Sequence, residues 1–346
     1  MKKLIVQIPC YNEAETIAQT IRDIPRDIAG VDRVEVLVID DGSSDETAAA
    51  AKVAGADHIL RNGANKGLAQ TFQRGLDEAL RLGADIIVNT DGDNQYRGAD
   101  IALLVAPIIA GEADIVVGDR RTGEIAHFSP LKKALQKIGS RAVSRLANAE
   151  IADAVSGFRA FSREAAFGVT VRSSFSYTTE TLIQAGRKNL IIKSVPIRTN
   201  SVTRPSRLFR SIPQFLSRTG RTMLRAYAMY EPLKIFMMLG AFLMMLGAIP
   251  IVRFLIYYFL ADGGGKIQSL LLGGVLVVMG VLCAMFALIA DLIAYNRKLL
   301  EMTLERVRRL EYGRGAVDGA DEKESDGGLR GAPALQAALE KLVAKR

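Results

Sequence analysis

Apolar residues recur along this chain in two different rhythms. Over the first 200 residues, short β-rich runs at 4–8, 34–39, 85–89 and 114–117 alternate with helix-like segments at 13–24, 45–54, 67–82 and 100–109. Strand and helix in alternation predict an α/β domain with a largely parallel sheet. Beyond residue 232 the rhythm gives way to two long apolar stretches, 233–260 and 268–295. Within the second, residues 269–290 carry no charge, and a run of that length crosses a hydrocarbon core of roughly 30 Å at about 1.5 Å per residue. The first holds Lys234, Pro250 and Arg253, and Arg253 lies where it can snorkel to an interface bearing Tyr257 and Tyr258. A buried core helix or a re-entrant hairpin is the alternative for this stretch. The link between the two is too short for a domain, so they are expected to form a transmembrane hairpin with both ends on one side.

Charge sharpens this division. The chain of 346 residues has a formal net charge of +8, which in general points to an acidic partner. Residues 1–197 are close to neutral, whereas 198–234 carry eight basic residues and one acidic one. There Arg204, Arg207, Arg210, Arg218, Arg221 and Arg225 interleave with apolar residues at spacings of three and four. That pattern predicts amphipathic helices over 201–232 lying in a membrane interface, and places the positive collar against lipid rather than nucleic acid. Arginines flanking both outer ends of the hairpin put those ends in the cytoplasm. The run at 4–8 is too short for a signal peptide, so a catalytic domain over 1–200 is expected on the cytoplasmic face of the cell membrane. The glycine-rich stretch after residue 312 belongs to a flexible cytoplasmic tail drawn over 296–346. Cys10 and Cys283 lie far apart in very different surroundings, which argues against a disulfide.

Candidate chemistry collects where parallel sheets bind ligands, beyond the carboxyl ends of strands. The first run leads into Pro9-Cys10-Tyr11-Asn12-Glu13, the second into Asp40-Asp41-Gly42-Ser43-Ser44-Asp45, and the third into Asp91-Gly92-Asp93-Asn94-Gln95. No glycine-rich phosphate loop follows the first strand, which removes the main support for an ATPase or a nicotinamide enzyme. Two carboxylates separated by one glycine can face the same hard divalent cation, although an isolated Asp-x-Asp is more often an Asx-turn.

These motifs, with Asn65-Lys66-Gly67, Ser156-Gly157-Phe158-Arg159 and Phe175-Ser176-Tyr177-Thr178-Thr179-Glu180, resemble in their order the family 2 glycosyltransferases of the GT-A fold. More narrowly they resemble the polyprenyl-phosphate, dolichyl-phosphate mannose synthase-like branch. The resemblance implies a Rossmann-like GT-A domain followed by interface helices and a two-helix transmembrane hairpin. It implies that Pro9, Tyr11 and Glu13 line the nucleotide pocket and that Asp40 and Asp41 meet base and ribose. It implies Mg²⁺ or Mn²⁺ on Asp91, Asp93 and Gln95 against the sugar-nucleotide diphosphate. Arg120 occupies the family's Gly-Ser-Arg position, with Asp119 in place of serine, where a salt bridge between Asp119 and Arg121 is the plain alternative. Lys132 or Lys133 matches a basic pair at the acceptor phosphate. Arg204, with Arg207 close behind, is the candidate for folding over the donor diphosphate, and Arg207 is also assigned to the acceptor phosphate. Asp153 holds a position sometimes given a catalytic role, and Glu180 opens a helix.

The implied reaction is an inverting transfer from a UDP- or GDP-sugar to a polyprenyl phosphate. A phosphate monoester with a second pKa of about 6 is already ionised at neutral pH, so its attack needs no general base. Asp153 is therefore expected to position or stabilise rather than abstract a proton. A processive polysaccharide synthase would need a Gln-x-x-Arg-Trp motif, which a chain without tryptophan cannot hold. The remaining alternatives are transfer to a lipid alcohol such as a diacylglycerol or ceramide, which would need a base, and a non-enzymatic membrane module that binds a nucleotide sugar or lipid-linked sugar. Expected partners are the nucleotide-sugar donor, the polyprenyl phosphate and membrane lipids, with no nucleic acid. Gly273, Gly274 and Gly280 would allow the close helix packing of a homo-oligomer.

Overall fold

A computed structural model describes residues 1–121, 130–171, 177–200, 232–260 and 267–321, with side chains throughout except at 130–138 and 313–321. Seven strands form one sheet: β1 (Lys3–Cys10), β2 (Arg33–Asp40), β3 (His58–Arg61), β4 (Ile86–Asn89), β5 (Ile115–Asp119), β6 (Arg159–Ser162) and β7 (Ile192–Pro196), in the order β3-β2-β1-β4-β6-β5-β7. All neighbours are parallel except β6, which runs antiparallel between β4 and β5. The near-continuous apolar runs in β1 and β2 follow from burial on both faces. Leu4, Val6 and Ile8 pack on one side with Ile17 and Ile21 of α1 (Ile17–Arg22) and Ile101 and Leu104 of α4 (Ile101–Ile109). Ile5, Leu37 and Ile39 pack on the other with Phe72 and Leu76 of α3 (Leu68–Arg81) and Leu182 of α7 (Tyr177–Arg187). Helices α2 (Thr47–Val53), α5 (Pro130–Ala147) and α6 (Arg163–Gly168) complete the layers.

The four strands expected from the sequence are β1, β2, β4 and β5. The others escape a periodicity argument for separate reasons. β3 and β7 have half-exposed, mixed patterns, and β6 is only four residues long and begins inside a motif that looks like a loop.

Two further helices, α8 (Pro232–Leu260) and α9 (Ile267–Asp321), are long and apolar enough to cross a membrane. Only 11% and 17% of their most apolar windows are buried, so neither is the core helix of a folded domain. Gly240 meets the Gly280 carbonyl and Gly247 that of Gly273, so the two run antiparallel with backbones in close approach. The second helix does not stop near residue 295. It continues through the segment expected to begin a flexible tail, because residues 297–312 are rich in helix formers, carry i,i+4 pairs (Arg297–Glu301, Glu305–Arg309), and pack on the α/β domain. The interface helices expected over 201–232 fall outside the described residues up to 231, as does the tail from 322 onward.

Candidate active site

In the strand order, neighbours of β1 lead outward in both directions, to β2 on one side and β4 on the other. The crevice at such a reversal is where open α/β sheets bind ligands. The loop after β1 and the loop after β4 face each other there. An added Cβ at Gly92 would lie 3.1 Å from Cβ of Cys10 and 3.4 Å from Cγ of Glu13, and Thr16 Oγ1 donates to the Gly92 carbonyl at 2.8 Å. The ends of β1, β2, β4 and β5 turn through residues with positive φ: Asn12 (54°), Gly42 (73°), Asn94 (55°) and Arg121 (46°). Asparagine tolerates that conformation, and at Gly42 a Cβ would also lie 2.8 Å from the Ala64 backbone.

Asp91 and Asp93 flank Gly92 with their side chains half-buried. Burial first, and then the charges of Asp93 and Glu13, push the Asp91 carboxyl up to about 7 against the opposing pull of Arg120. The Asp93 carboxylate accepts from the Gln95 N–H at 3.1 Å, closing the loop, and the Asn94 side-chain oxygen is buried without a partner among the described residues. This is an all-oxygen donor set with excess negative charge and an unsatisfied acceptor, the environment a hard divalent cation relieves. Among the described residues no three His, Cys, Asp or Glu side chains are grouped so as to hold a metal ion by themselves.

Asp91 rests on a buried polar network. An added Cβ at Gly157 would sit 3.2 and 3.3 Å from its two carboxylate oxygens and 2.7 Å from the Tyr177 hydroxyl. Asn89 Nδ2 donates to the Gly157 carbonyl (2.8 Å) and to Tyr177 (3.1 Å), Gln7 donates to Asn89 (3.0 Å), and the Gly157 N–H donates to Tyr96 (3.2 Å). Sequence reasoning missed Asn89, Tyr96 and Tyr177. The available signal was one polar residue in each of two apolar strands, Gln7 inside β1 and Asn89 at the end of β4.

Arg120 and Asp153 form the second centre. Nε and Nη2 of Arg120 donate to the two Asp153 oxygens at 2.7 and 3.1 Å, and the Asp153 side chain is only 1% exposed. Burial opposes the Arg120 charge, but Tyr96 and Asp153 outweigh it and hold the guanidinium above its ordinary pKa. Asp153 also accepts from the Val155 N–H at 3.2 Å. A carboxylate so engaged stabilises a cation. Asp119 does not act mainly as a surface partner for the Arg121 side chain: its Oδ1 accepts from the Arg121 backbone N–H at 2.9 Å and fixes the positive-φ turn beside Arg120.

Next to this pair, Arg159 is fully buried and has no carboxylate partner among the described residues. Its guanidinium donates to the carbonyls of Ser156 (2.8 Å), Ala154 (2.9 Å) and Thr178 (2.6 Å) and to the Thr181 hydroxyl (2.9 Å). Burial lowers its pKa to about 10. It ties the segment carrying Asp153 to α7, where Glu180 lies in the first turn.

The acidic pair after β2 is more deeply set than a simple base-and-ribose contact suggests. Asp41 accepts from Asn62 (2.7 Å) and from the N–H groups of Lys66 and Gly67 (both 2.9 Å), so its oxygens already hold the Asn65-Lys66-Gly67 loop. Asp40 is fully buried, accepting from the Ser43 N–H at 2.9 Å, with its other oxygen 3.1 Å from Nε of Arg61. Gly42, Ser43, Ser44, Arg61, Asn62 and Gly63 line an open hollow of about 530 Å³ beside them. Pro9 is buried at the end of β1, Tyr11 is 40% exposed, and Glu13 accepts from Thr16 at 3.1 Å. Burial, reinforced by Asp40 and Glu13, raises the Cys10 thiol far above its ordinary value. Arg204 and Arg207 lie outside the described residues, and Lys132 and Lys133 are on α5 with side chains not described.

The profile of "Glycosyl transferase family 2" matches residues 5–167, which span these loops. The dolichyl-phosphate hexose transferase of Haloferax volcanii is 31% identical over 196 residues, covering 56% of this chain and 81% of that protein. The chain belongs to glycosyl transferase family 2. Within the same organism, the glycosyltransferase AglJ is 33% identical over 203 residues, 57% of this chain, and the match spans 62% of AglJ, less than two thirds of its length. Among solved structures, a Mycobacterium tuberculosis glucosyl-3-phosphoglycerate synthase in complex with Mn²⁺, UDP-glucose and phosphoglyceric acid aligns with a TM-score of 0.51 at 22% identity, covering 66% of this chain and 79% of that one. That likeness places the α/β domain of this glycosyltransferase in the GT-A fold.

Proposed function

We propose that this glycosyltransferase moves a sugar from a nucleoside-diphosphate sugar to the phosphate of a polyprenyl phosphate at a membrane surface, with inversion at the anomeric carbon. The Arg120–Asp153 pair carries this reading. An alcohol acceptor would need a base to take its proton, and Asp153, the carboxylate best placed to serve, is spent on a buried bidentate pair. A phosphate monoester needs a cation to orient it, and Arg120 presents one at the edge of the crevice. An oxygen of that phosphate bonds to the anomeric carbon as the carbon–oxygen bond to the diphosphate breaks, and no proton moves.

A divalent cation, Mg²⁺ or Mn²⁺, held by Asp91, Asp93 and Gln95, would offset the charge gathering on the departing diphosphate. Glu13 and Tyr11 form the facing wall, while Asp40 and Asp41 shape the nucleoside side by fixing their own loops. The name of the Haloferax dolichyl-phosphate hexose transferase supports a polyprenyl phosphate as acceptor. The barely buried apolar helices support a lipid-borne one, with the protein embedded in the cytoplasmic membrane.

The test is to incubate the purified full-length chain in vesicles with Mn²⁺, undecaprenyl phosphate and a panel of UDP- and GDP-sugars, and to follow lipids by mass spectrometry. A new lipid with the mass of the phosphosugar, formed with stoichiometric nucleoside diphosphate, is the expected result. Product appearing only on an added diacylglycerol or ceramide would overturn the phosphate acceptor.

A further inference from the structure

Past the apolar part of α9, the helix returns to the α/β domain and is anchored there. Arg308 is only 5% exposed. Its Nη1 donates to the carbonyls of Phe167 (3.1 Å) and Val169 (3.0 Å), and its Nη2 to Asp77 of α3 at 2.5 Å. Glu305 pairs with Lys188 at 2.6 Å, and Arg309 pairs with Glu164 at 2.6 Å while covering the Phe167 ring at 4.9 Å. One helical turn further on, the Tyr312 carbonyl accepts from Arg163 at 3.3 Å, and the same guanidinium holds the Ala84 carbonyl at 2.7 Å.

These contacts fix a direction. Moving from Arg308 to Tyr312 on α9 matches moving from Asp77 towards Ala84, past the end of α3, so α9 and α3 run the same way. Helix α3 starts at Leu68, beside the carboxyl ends of the strands. Projected back along α9, the level of Leu68 is reached near Leu299. Asp291, which ends the charge-free run, lies eight residues nearer the membrane, about 12 Å at 1.5 Å per residue. The carboxyl strand ends, with Asp91 and Arg120, are therefore on the side of the domain facing the apolar hairpin.

We propose that residues 291–312 of α9 are a strut of set length that holds the sugar-transfer crevice facing the membrane, about 12 Å from its apolar boundary, with Arg308 as the positioning residue that locks it. This rests on the transferase function proposed above. A lipid-borne phosphate can leave the bilayer plane only a short way without exposing its chain, so a fixed height and orientation act on acceptor capture and leave donor binding alone.

The experiment inserts six glycine and serine residues between Ala294 and Tyr295, which leaves the dock intact and frees the hairpin from it. The paired readouts are kcat/KM for undecaprenyl phosphate in vesicles and for a water-soluble short-chain isoprenyl phosphate. The insertion is expected to lower the first by at least about tenfold and change the second by less than about twofold. Unchanged turnover of the long-chain acceptor, or an equal fall with both, would overturn the strut. A readout free of activity accompanies it: energy transfer from a dye on Glu46→Cys, at the exposed rim of the crevice, to acceptor-labelled lipid headgroups should fall in the insertion variant. Arg308→Met should raise hydrogen exchange over residues 303–311. If the parent chain glycosylates neither acceptor while the insertion lowers energy transfer, the transferase reading fails and the strut stands. If energy transfer is unchanged, the strut fails whatever the activity.

Discussion

The Arg120 guanidinium and the Asp153 carboxylate are joined by two hydrogen bonds of 2.7 and 3.1 Å in a place where the carboxylate is almost closed to solvent. Asp153→Asn preserves the shape and removes the charge. It should lower kcat by about tenfold or more through a misplaced Arg120, and leave the acidic limb of the pH–rate profile where it is, because the proposed reaction passes no proton to Asp153. A limb that disappears with the substitution would make Asp153 a base. Asp153→Ala leaves a buried cation unpaired and should cost roughly 3–5 kcal/mol of stability, seen as a lowered melting temperature in detergent.

Asp93→Ala should abolish turnover and Mn²⁺ binding while the protein still inserts into membranes. Mn²⁺ titration followed by electron paramagnetic resonance checks the first, and flotation with vesicles the second. Wild-type Mn²⁺ affinity in this variant would remove Asp93 from the cation site.

Asp91 makes metal-free stability depend on pH. Its carboxyl is pushed up to about 7 in the fold, so the folded state favours the protonated form. That contribution is complete below the unfolded value near 4 and is lost as pH rises through 7. The melting temperature of the metal-free protein should therefore fall between pH 5 and pH 8 by a component that Asp91→Asn removes. Added Mn²⁺ should stabilise more at pH 8 than at pH 5.5, since binding requires the carboxylate. An Asp91→Asn melting curve with the parent pH dependence would contradict this.

Gly157→Ala places a methyl group 2.7 Å from the Tyr177 hydroxyl and 3.2 Å from an Asp91 oxygen. The Asp91 carboxylate must shift, and kcat should fall by about tenfold or more with circular dichroism unchanged. An active Gly157→Ala variant would show that the position of Asp91 is not critical.

Arg159→Met removes the donor shared by three carbonyls and one hydroxyl. At about 1–3 kcal/mol for each buried group left without a partner, the domain should lose most of its stability. Arg159→Lys, which restores charge but not the planar fork, should recover only part of it in a denaturant titration.

The strand ends were legible because each places acids after an apolar run, and the parallel sheet was legible from its alternation. Arg159 was visible as part of a motif but not as a cage, because its partners are backbone carbonyls, which carry no residue identity. The same holds for Asp41, whose acceptors are filled by the N–H groups of Lys66 and Gly67. The continuation of α9 was hidden for another reason. Arg308 reads as one more basic residue after an apolar run, and only the folded chain brings it to Asp77, 231 positions earlier.

That separation sets an order of manufacture. The ribosome releases residues 1–200 long before 308, and a domain emerging first begins to fold first. Until α9 arrives, the Phe167 and Val169 carbonyls and Asp77 lack the donor that Arg308 brings. Arg308 can reach them only after the hairpin between has been made, so completion of the α/β half waits on delivery of the apolar half. A chain that stalls before the hairpin is finished would present an uncapped α/β domain, a target that quality-control proteases can tell from the finished protein.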